Sequence, residues 1–342
     1  MTWDWTPEAL DALADFLGER GITRGPVTAR RIGDGHSNLT YLVDDGSTRV
    51  VVRRPPPPPT PPGGHDMLRE ARLIDALQGT GVPVAQLLAT AEAGEVLDVH
   101  FYVMSFAPGP VITTETPAAL ADPETRRQIG HAMVDTLVAL HDADWQSEKL
   151  KGLGRPDGFN RRHLDRMAGL VADADGAAPA SFAQIYGWLK DNVPDESGAA
   201  VVHNDFRIGN VIVDAQAPGR IRAVLDWELA TIGDPLVDIA YFLESVPDPD
   251  EPLTPTQEFA TAFLEPGYPS RKELADRYSE LSGRDLTALP WFTAMVQWKL
   301  AVLYEYGRRR AVAGVGDQYY ADPRKVQLFL DAALRTVGLQ EG

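Results

Sequence analysis

The sequence predicts an α+β protein in which a small, β-rich N-terminal part precedes a larger, mainly helical C-terminal part. In the first part, the β-prone runs LTYLV and TRVVVRR flank the turn DDGS, which indicates a hairpin. From residue 117 onward helical segments dominate, and one strand–turn–strand pattern, VIVD-AQAPGR-IRAVLDWE, interrupts them. The strand HFYVMSF ends at the breaker APG, so we place the domain boundary there, between residues 1–106 and 107–342.

Three further segments complete the N-terminal part. Thr6 and Pro7 are typical of an N-cap and a first helical position, and apolar residues follow at helical spacing. A second helix is predicted over residues 65–78. Between the hairpin and this helix, residues 54–64 read RPPPPPTPPGG, and their seven prolines exclude a helix or a central strand. We interpret this segment as a stiff connector, and a proline-rich ligand for a partner domain is the alternative.

Composition excludes several classes of protein. The net charge of −17 argues against nucleic acid or an anionic membrane as the main partner; it could favour a cationic substrate, or serve solubility alone. No apolar run approaches the ~20 residues that span a bilayer, and the acidic, amphipathic N-terminal segment is unlike a signal peptide. The chain has no cysteine, which excludes disulfides and thiolate chemistry, so we expect a cytoplasmic protein.

The segment VVHNDFRIGNVIVD at residues 201–214 carries the chemistry. Asp205 lies in a polar loop, Asn210 closes that loop, and Asp226 ends the partner strand in AVLDWE. Because a hairpin brings the start of one strand near the end of its partner, we expect Asn210 and Asp226 to lie close together. Amide and carboxylate oxygens suit Mg²⁺, and a carboxylate free of metal can accept a proton from a hydroxyl. This combination indicates phosphoryl transfer.

The pattern HxDxxxxN, followed by LDWExxxxGDPxxDIA at residues 225–240, resembles the catalytic segment of the aminoglycoside phosphotransferase family. The resemblance extends over residues 25–335 and implies the two-lobed protein-kinase-like fold, with a small β-rich N-lobe and a larger, mainly helical C-lobe. It also implies a role for each matching residue: Asp205 as catalytic base, Asn210 and Asp226 as Mg²⁺ ligands, His203 as a residue that shapes the loop, and Asp238 as a buried support of the loop.

In the N-lobe, the same resemblance implies an ATP site. The turn GDGHSN would cover the phosphates through Gly35, Ser37 and Asn38, although it is not a P-loop, since GxxxxGK[ST] is absent. The strand VVVRR places Arg53 where the family often has Lys, and Glu70 matches the carboxylate that holds this cation.

The segment YVMSFAPG resembles the hinge between the lobes. By this match, Met104 lines the adenine pocket, while the Ser105 carbonyl and the Ala107 N–H bind the adenine edge. In LHDADW, we interpret His141 as a packed structural histidine rather than a catalytic one.

The acceptor is less well defined. Family members phosphorylate aminoglycosides, choline and other small hydroxyl compounds. Three segments resemble the kinase-like domain joined to acyl-CoA dehydrogenases, a branch associated with hydroxyacyl-CoA phosphorylation: residues 53–77, residues 158–167 and the helix WKLAVLYEYGRRRAVAGVGD. Five arginines could then meet an anionic CoA, or they could be ordinary solvated charges: Arg161, Arg162, Arg308, Arg309 and Arg310.

We therefore predict an ATP- and Mg²⁺-dependent enzyme that phosphorylates a small-molecule hydroxyl, with a hydroxyacyl-CoA or an aminoglycoside as acceptor. A nucleotide-binding pseudokinase is the alternative, because Arg53 departs from the commoner Lys. A metal-dependent hydrolase using His203 and Asp205 has less support, because no second histidine cluster has ligand spacing. The sequence leaves open the oligomeric state and the choice between ATP and GTP.

Overall fold

The computed structural model describes residues 5–33, 38–56, 65–173 and 178–339. The chain divides into two compact units. The smaller unit comprises Met1–Pro108 together with two later segments, Gln146–Leu153 and Arg222–Glu228. The larger unit comprises Gly109–Trp145, Gly154–Ile221 and Leu229–Gly342. Two segments that lie beyond residue 108 therefore complete the N-terminal unit.

The smaller unit consists of an antiparallel sheet and two helices. Its strands are β1 (Thr28–Arg31), β2 (Leu39–Asp44), β3 (Arg49–Arg54), β4 (Leu87–Ala91) and β5 (Phe101–Ser105), in the order β1-β2-β3-β5-β4. Its helices are α1 (Pro7–Glu19) and α2 (Met67–Leu77). Thr6 caps α1 as predicted, and Leu13, Phe16 and Leu17 pack into the apolar core with inward residues of the sheet.

The predicted hairpin is formed by β2 and β3, with Tyr41 opposite Val52. Its turn is held by Asp45, whose Oδ1 accepts the backbone N–H groups of Ser47 at 2.8 Å and Thr48 at 2.6 Å. Asp45 and the left-handed Gly46 therefore fix the register of the strand that carries Arg53. Of the proline-rich segment, residues 57–64 lie outside the described residues, so its role as a connector stays a prediction.

The larger unit is mainly helical. Its helices are α3 (Pro123–His141), α4 (Phe159–Val171), α5 (Ala180–Asp191), α6 (Leu236–Ser245), α7 (Arg271–Ser282), α8 (Leu289–Val312) and α9 (Pro323–Val337). Its strands are β6 (Ala200–Val202), β7 (Val211–Val213) and β9 (Thr231–Gly233), while β8 (Ile221–Val224) runs from this unit into the smaller one. The connection after β7 is closed by the Asp214 N–H, which donates to the Arg220 carbonyl at 3.1 Å, as expected of a hairpin turn.

Helix α8 is the centre of the helical packing and contacts α4, α5, α6 and α9. Two buried tryptophans fix it to α5: Trp291 Nε1 donates to the Leu189 carbonyl at 2.9 Å, and Trp298 Nε1 donates to the Phe182 carbonyl at 3.1 Å. None of the helices in the described ranges combines the length and apolar character that crossing a membrane requires.

Candidate active site

The loop between β6 and β7, residues 203–210, is held by a buried carboxylate. Asp238, in the first turn of α6, accepts the backbone N–H of His203 at 2.5 Å and of Asn204 at 2.7 Å. Burial alone would raise the pKa of Asp238, but hydrogen bonds from His141 and from the His203 backbone outweigh it and lower the pKa. Asp238 is therefore a carboxylate at neutral pH, and it holds the loop backbone as the family resemblance implies.

The loop turns sharply just before Asp205. Asn204 adopts a left-handed conformation, with φ of 66°, which Asn tolerates better than most residues. Its side chain donates to the Leu229 carbonyl at 3.0 Å, and Lys299 Nζ lies 3.5 Å from its carbonyl oxygen. The turn is therefore fixed from both its side chain and its backbone.

Asp205 is anchored at both carboxylate oxygens. Asn210 Nδ2 donates to Asp205 Oδ2 and to the Asp205 carbonyl, both at 2.8 Å. The Tyr241 hydroxyl donates to Oδ1 at 2.5 Å, and Arg207 Nε lies 3.6 Å from the same oxygen. The Asp205 side chain is nevertheless 23% exposed, so a reactant can still reach it. This arrangement suits a general base.

Two histidines near this loop are structural. His203 is fully buried, and its Nδ1 accepts the Asp205 N–H at 3.2 Å. His141, also buried, lies 2.7 Å from the Tyr278 hydroxyl through Nδ1 and 3.4 Å from Asp238 through Nε2. His203 is therefore poorly placed to bind a metal, which removes the main support for the hydrolase alternative. Among the described residues, no cluster of three or more His, Cys, Asp or Glu side chains is arranged to bind a metal.

A second charged cluster lies in the smaller unit, around Arg53 on β3. Arg53 is 9% exposed; its Nε lies 3.1 Å from Glu70 Oε1, and its Nη2 lies 2.5 Å from Asp226 Oδ1. Tyr102 donates to the same Glu70 oxygen at 3.0 Å. Burial alone would lower the pKa of Arg53, but the charges of Glu70, Asp226 and Glu228 raise it, so the guanidinium is permanently charged. The structure therefore brings the predicted Arg53, Glu70 and Asp226 together.

The cluster also contains Glu228 and His65, which the sequence did not single out. Glu228 Oε2 lies 3.9 Å from Arg53 Nη2 and accepts Asn38 Nδ2 at 2.8 Å. His65 Nδ1 lies 2.7 Å from Asn38 Oδ1. Burial and the charge of Arg53 lower the pKa of His65, which favours its neutral ring. The sequence offers a signal for Glu228 alone, because this Glu follows Asp226 by two residues in LDWE.

The structure says less about the other residues that were predicted to bind the nucleotide. Gly35 and Ser37 lie outside the described residues. Met104 is buried on β5, opposite Val51 and Leu87. Ser105 exchanges hydrogen bonds with Gln86, whose N–H donates to Ser105 Oγ at 2.9 Å. Ala107 is half-buried in the segment that follows β5.

Four of the five candidate acceptor-site arginines already have partners within the larger unit. Arg308 and Arg309 both pair with Glu305, at 2.6 and 2.9 Å. Arg162 donates to the Arg155 carbonyl at 2.5 Å, and Arg310 donates to the Val315 carbonyl at 3.3 Å. These contacts favour a structural role for the four arginines.

The comparisons with known proteins agree with this geometry. The model of the phosphotransferase enzyme family, APH, matches residues 28–274. The chain belongs to this family. Human acyl-CoA dehydrogenase family member 11 is 31% identical over 292 residues, and a probable acyl-CoA dehydrogenase of Arabidopsis thaliana, IBR3, is 30% identical over 324 residues. These alignments cover 84% and 88% of this phosphotransferase-family chain, but only 36% and 38% of the two relatives.

Solved structures show the same phosphotransferase fold. A protein of Ralstonia eutropha JMP134 assigned to the aminoglycoside phosphotransferases has a TM-score of 0.79 and 25% identity, covering 95% of this chain and 98% of its own. Aminoglycoside phosphotransferase APH(4)-Ia, in ternary complex with AMP-PNP and hygromycin B, has a TM-score of 0.62 and 20% identity, covering 95% and 98%. The predicted kinase-like fold class is thus confirmed.

Proposed function

We propose that this protein transfers the γ-phosphate of ATP, in a Mg²⁺-dependent reaction, to the hydroxyl of a small molecule. The observation that carries the proposal is the hydrogen-bonded pair of Asp205 and Asn210, on a loop whose backbone Asp238 holds. Family membership and the fold support a small-molecule kinase, and a structural neighbour was solved with AMP-PNP and an aminoglycoside.

Asp205 is proposed as the base. Its carboxylate is held by Asn210 on one oxygen and Tyr241 on the other, and it remains partly exposed. A fixed carboxylate can orient the acceptor hydroxyl and take its proton as the oxygen attacks phosphorus. Little covalent work remains in phosphoryl transfer once both reactants are positioned, so the rigidity of this loop is the main catalytic contribution of the larger unit.

Arg53 is proposed as the phosphate-binding cation, with Glu70 as its anchor. The guanidinium forms an ion pair with Glu70 and donates to Asp226 through Nη2 and to Thr40 through Nη1. It therefore cannot rotate freely, and the N–H groups that these contacts leave keep a fixed direction. A planar guanidinium can bind phosphate oxygens in pairs, which an ammonium group cannot. By the family resemblance, adenine would lie against Met104 and hydrogen-bond the backbone of Ser105 and Ala107.

The residues present fit a divalent cation. Around Arg53, three carboxylates (Glu70, Asp226 and Glu228) face one guanidinium, which leaves a net charge of −2. In the larger unit, Asn210 uses its amide nitrogen on Asp205, so its amide oxygen is the atom left for a cation. We propose Asn210 and Asp226 as Mg²⁺ ligands. When bound, Mg²⁺ would neutralise charge on the triphosphate.

Two acceptor classes are proposed. A hydroxyacyl-CoA is favoured by the relatives, which are named as acyl-CoA dehydrogenase family members. An aminoglycoside is favoured by the complex of APH(4)-Ia with hygromycin B. The arginine pairing described above weakens the argument that Arg308 and Arg309 bind CoA phosphates, so the first acceptor class rests on the relatives.

The test is ADP release from Mg·ATP across a panel of hydroxyacyl-CoA thioesters, aminoglycosides and small amino alcohols. Asp205→Ala serves as the blank and is expected to abolish transfer while binding ATP nearly as well as the wild type. Turnover on one class, absent in the variant, would establish the enzyme and its acceptor class together. Wild-type turnover in Asp205→Ala would remove Asp205 as the base.

A nucleotide-binding pseudokinase is the second candidate. The observation that favours it is the 2.5 Å contact of Arg53 with Asp226, since this guanidinium competes with a cation for the carboxylate. Tight ATP binding that is indifferent to Mg²⁺, with no ADP released on any acceptor, would favour this reading over the enzyme.

A further inference from the structure

Helix α6 contacts the loop of residues 203–210 at two points. Asp238 binds the loop backbone, and Tyr241, three residues later, binds the Asp205 side chain. Residues three apart on a helix project from the same face. One rigid helix therefore sets both the path of the loop and the direction of its carboxylate.

We infer that Tyr241 is a positioning residue that locks the Asp205 carboxylate in the orientation needed to receive the acceptor hydroxyl. The inference rests on the proposed function, in which Asp205 is the base. Tyr241 touches neither nucleotide nor reacting atoms in this assignment, and it acts only through Asp205.

The surroundings of Tyr241 determine which group is the donor in its hydrogen bond to Asp205. The residue is 7% exposed, and burial, followed by the negative charge of Asp205, raises the pKa of its hydroxyl well above the ordinary value. The phenol therefore keeps its proton and donates the hydrogen bond to Asp205 Oδ1.

The hydrogen bond from Tyr241 matters because a carboxylate that is held at one oxygen can still rotate. Asn210 fixes Oδ2, and without Tyr241 the partner left to Oδ1 within the described ranges is Arg207 Nε, 3.6 Å away. With both oxygens held, each keeps one lone pair that the anchors do not use, and the plane of the carboxylate is fixed. A base that is misplaced by about 1 Å can lose about a hundredfold in rate.

The kinetic test uses Tyr241→Phe, which removes the hydroxyl and keeps the ring. We expect kcat to fall about ten- to a hundredfold while the KM for ATP stays within about twofold. Tyr186→Phe is the matched control, since the Tyr186 hydroxyl donates to Asp165 Oδ1 at 2.8 Å in an exposed position of the same unit. A kcat of Tyr241→Phe equal to that of the control would overturn the inference.

A second measurement needs no turnover. The chain has ten tyrosines, and 3-fluorotyrosine gives each a ¹⁹F resonance; that of Tyr241 is the one missing in Tyr241→Phe. We expect Asp205→Ala to shift this resonance and to leave that of Tyr186 in place. An unshifted Tyr241 resonance would disprove the contact even if the protein proves to be a kinase. A shifted resonance without activity on any acceptor would keep the contact and count against the proposed function.

Discussion

Arg53 and Asp226 form a contact of 2.5 Å in the smaller unit, and the same guanidinium lies 3.1 Å from Glu70. One cation thus joins a strand, a helix and a residue 173 positions further along the chain. Glu70 lies beside Nε and Asp226 accepts from Nη2, so two nitrogens of the planar guanidinium each face a carboxylate.

Replacing Arg53 by Lys should weaken nucleotide binding. A single ammonium cannot reach Glu70 and Asp226 with the same geometry, so the cation loses its fixed direction. We expect the affinity for Mg·ATP to fall about tenfold, the size of one lost charge-assisted hydrogen bond. Isothermal titration calorimetry measures it, with Arg54→Lys as the control, because neighbouring Arg54 contacts Tyr41 instead. Unchanged or tighter binding in Arg53→Lys would show that the fork has no special role.

Asp226→Ala should remove the effect of Mg²⁺ on the affinity for ATP. If Asp226 is a Mg²⁺ ligand, the variant loses the gain in ATP affinity that Mg²⁺ gives the wild type, by about tenfold or more. Titrations of ATP with and without Mg²⁺ measure this gain in both proteins. Asp250→Ala, at an exposed position of the larger unit, is the control. A gain in the Asp226 variant equal to the wild type would exclude the residue from the metal site.

Asp238→Asn should loosen the loop that carries Asp205. The carboxylate accepts two backbone N–H groups inside the protein, and an amide nitrogen facing either of them would leave a buried donor unpaired. We expect the free energy of unfolding to fall by about 1–3 kcal/mol, and kcat to fall with it. Urea denaturation measures the first quantity. Full stability together with full activity would contradict the supporting role of Asp238.

Glu244 should make stability depend on pH. Burial raises its pKa to about 7, with Gln297 and Thr254 as hydrogen-bond partners. A carboxyl whose pKa is higher in the folded state binds more protons there, so stability is lost as pH rises from the unfolded pKa towards 7. The effect of this one group is at most about 3 kcal/mol. We expect Glu244→Gln to remove it, and urea denaturation of both proteins between pH 4.5 and 8 measures the difference. Parallel curves would show that Glu244 is not the source.

The sequence predicted the elements whose signals are local. The Thr6 cap, the turn held by Asp45, and the short spacing from Asp205 to Asn210 all lie within a few residues, where backbone geometry leaves few alternatives. The pairing of Arg53 with Glu70 was reached through the family pattern, and the structure shows it. What these residues do in the reaction stays a prediction.

Tyr241 and Glu228 could not be assigned in this way. Every residue of α6 is buried, so no exposed face shows which side of the helix meets the loop, and the sequence signal for Tyr241 is its spacing of three residues from Asp238. Its partner, Asp205, is 36 residues away, and only the packing of α6 against the loop brings them together. Glu228 likewise meets Asn38 across 190 residues, a pairing that depends on the segment Arg222–Glu228 belonging to the smaller unit.

The backbone at Asp226 limits which substitutions this position can accept. Its φ of 63° is left-handed, a conformation that Gly, Asn and Asp adopt more readily than other residues. Of these three, only Asp carries the negative charge that Arg53 faces. In a saturation library selected for activity, we therefore expect position 226 to return almost entirely to Asp, with geometry excluding most side chains and charge excluding the rest.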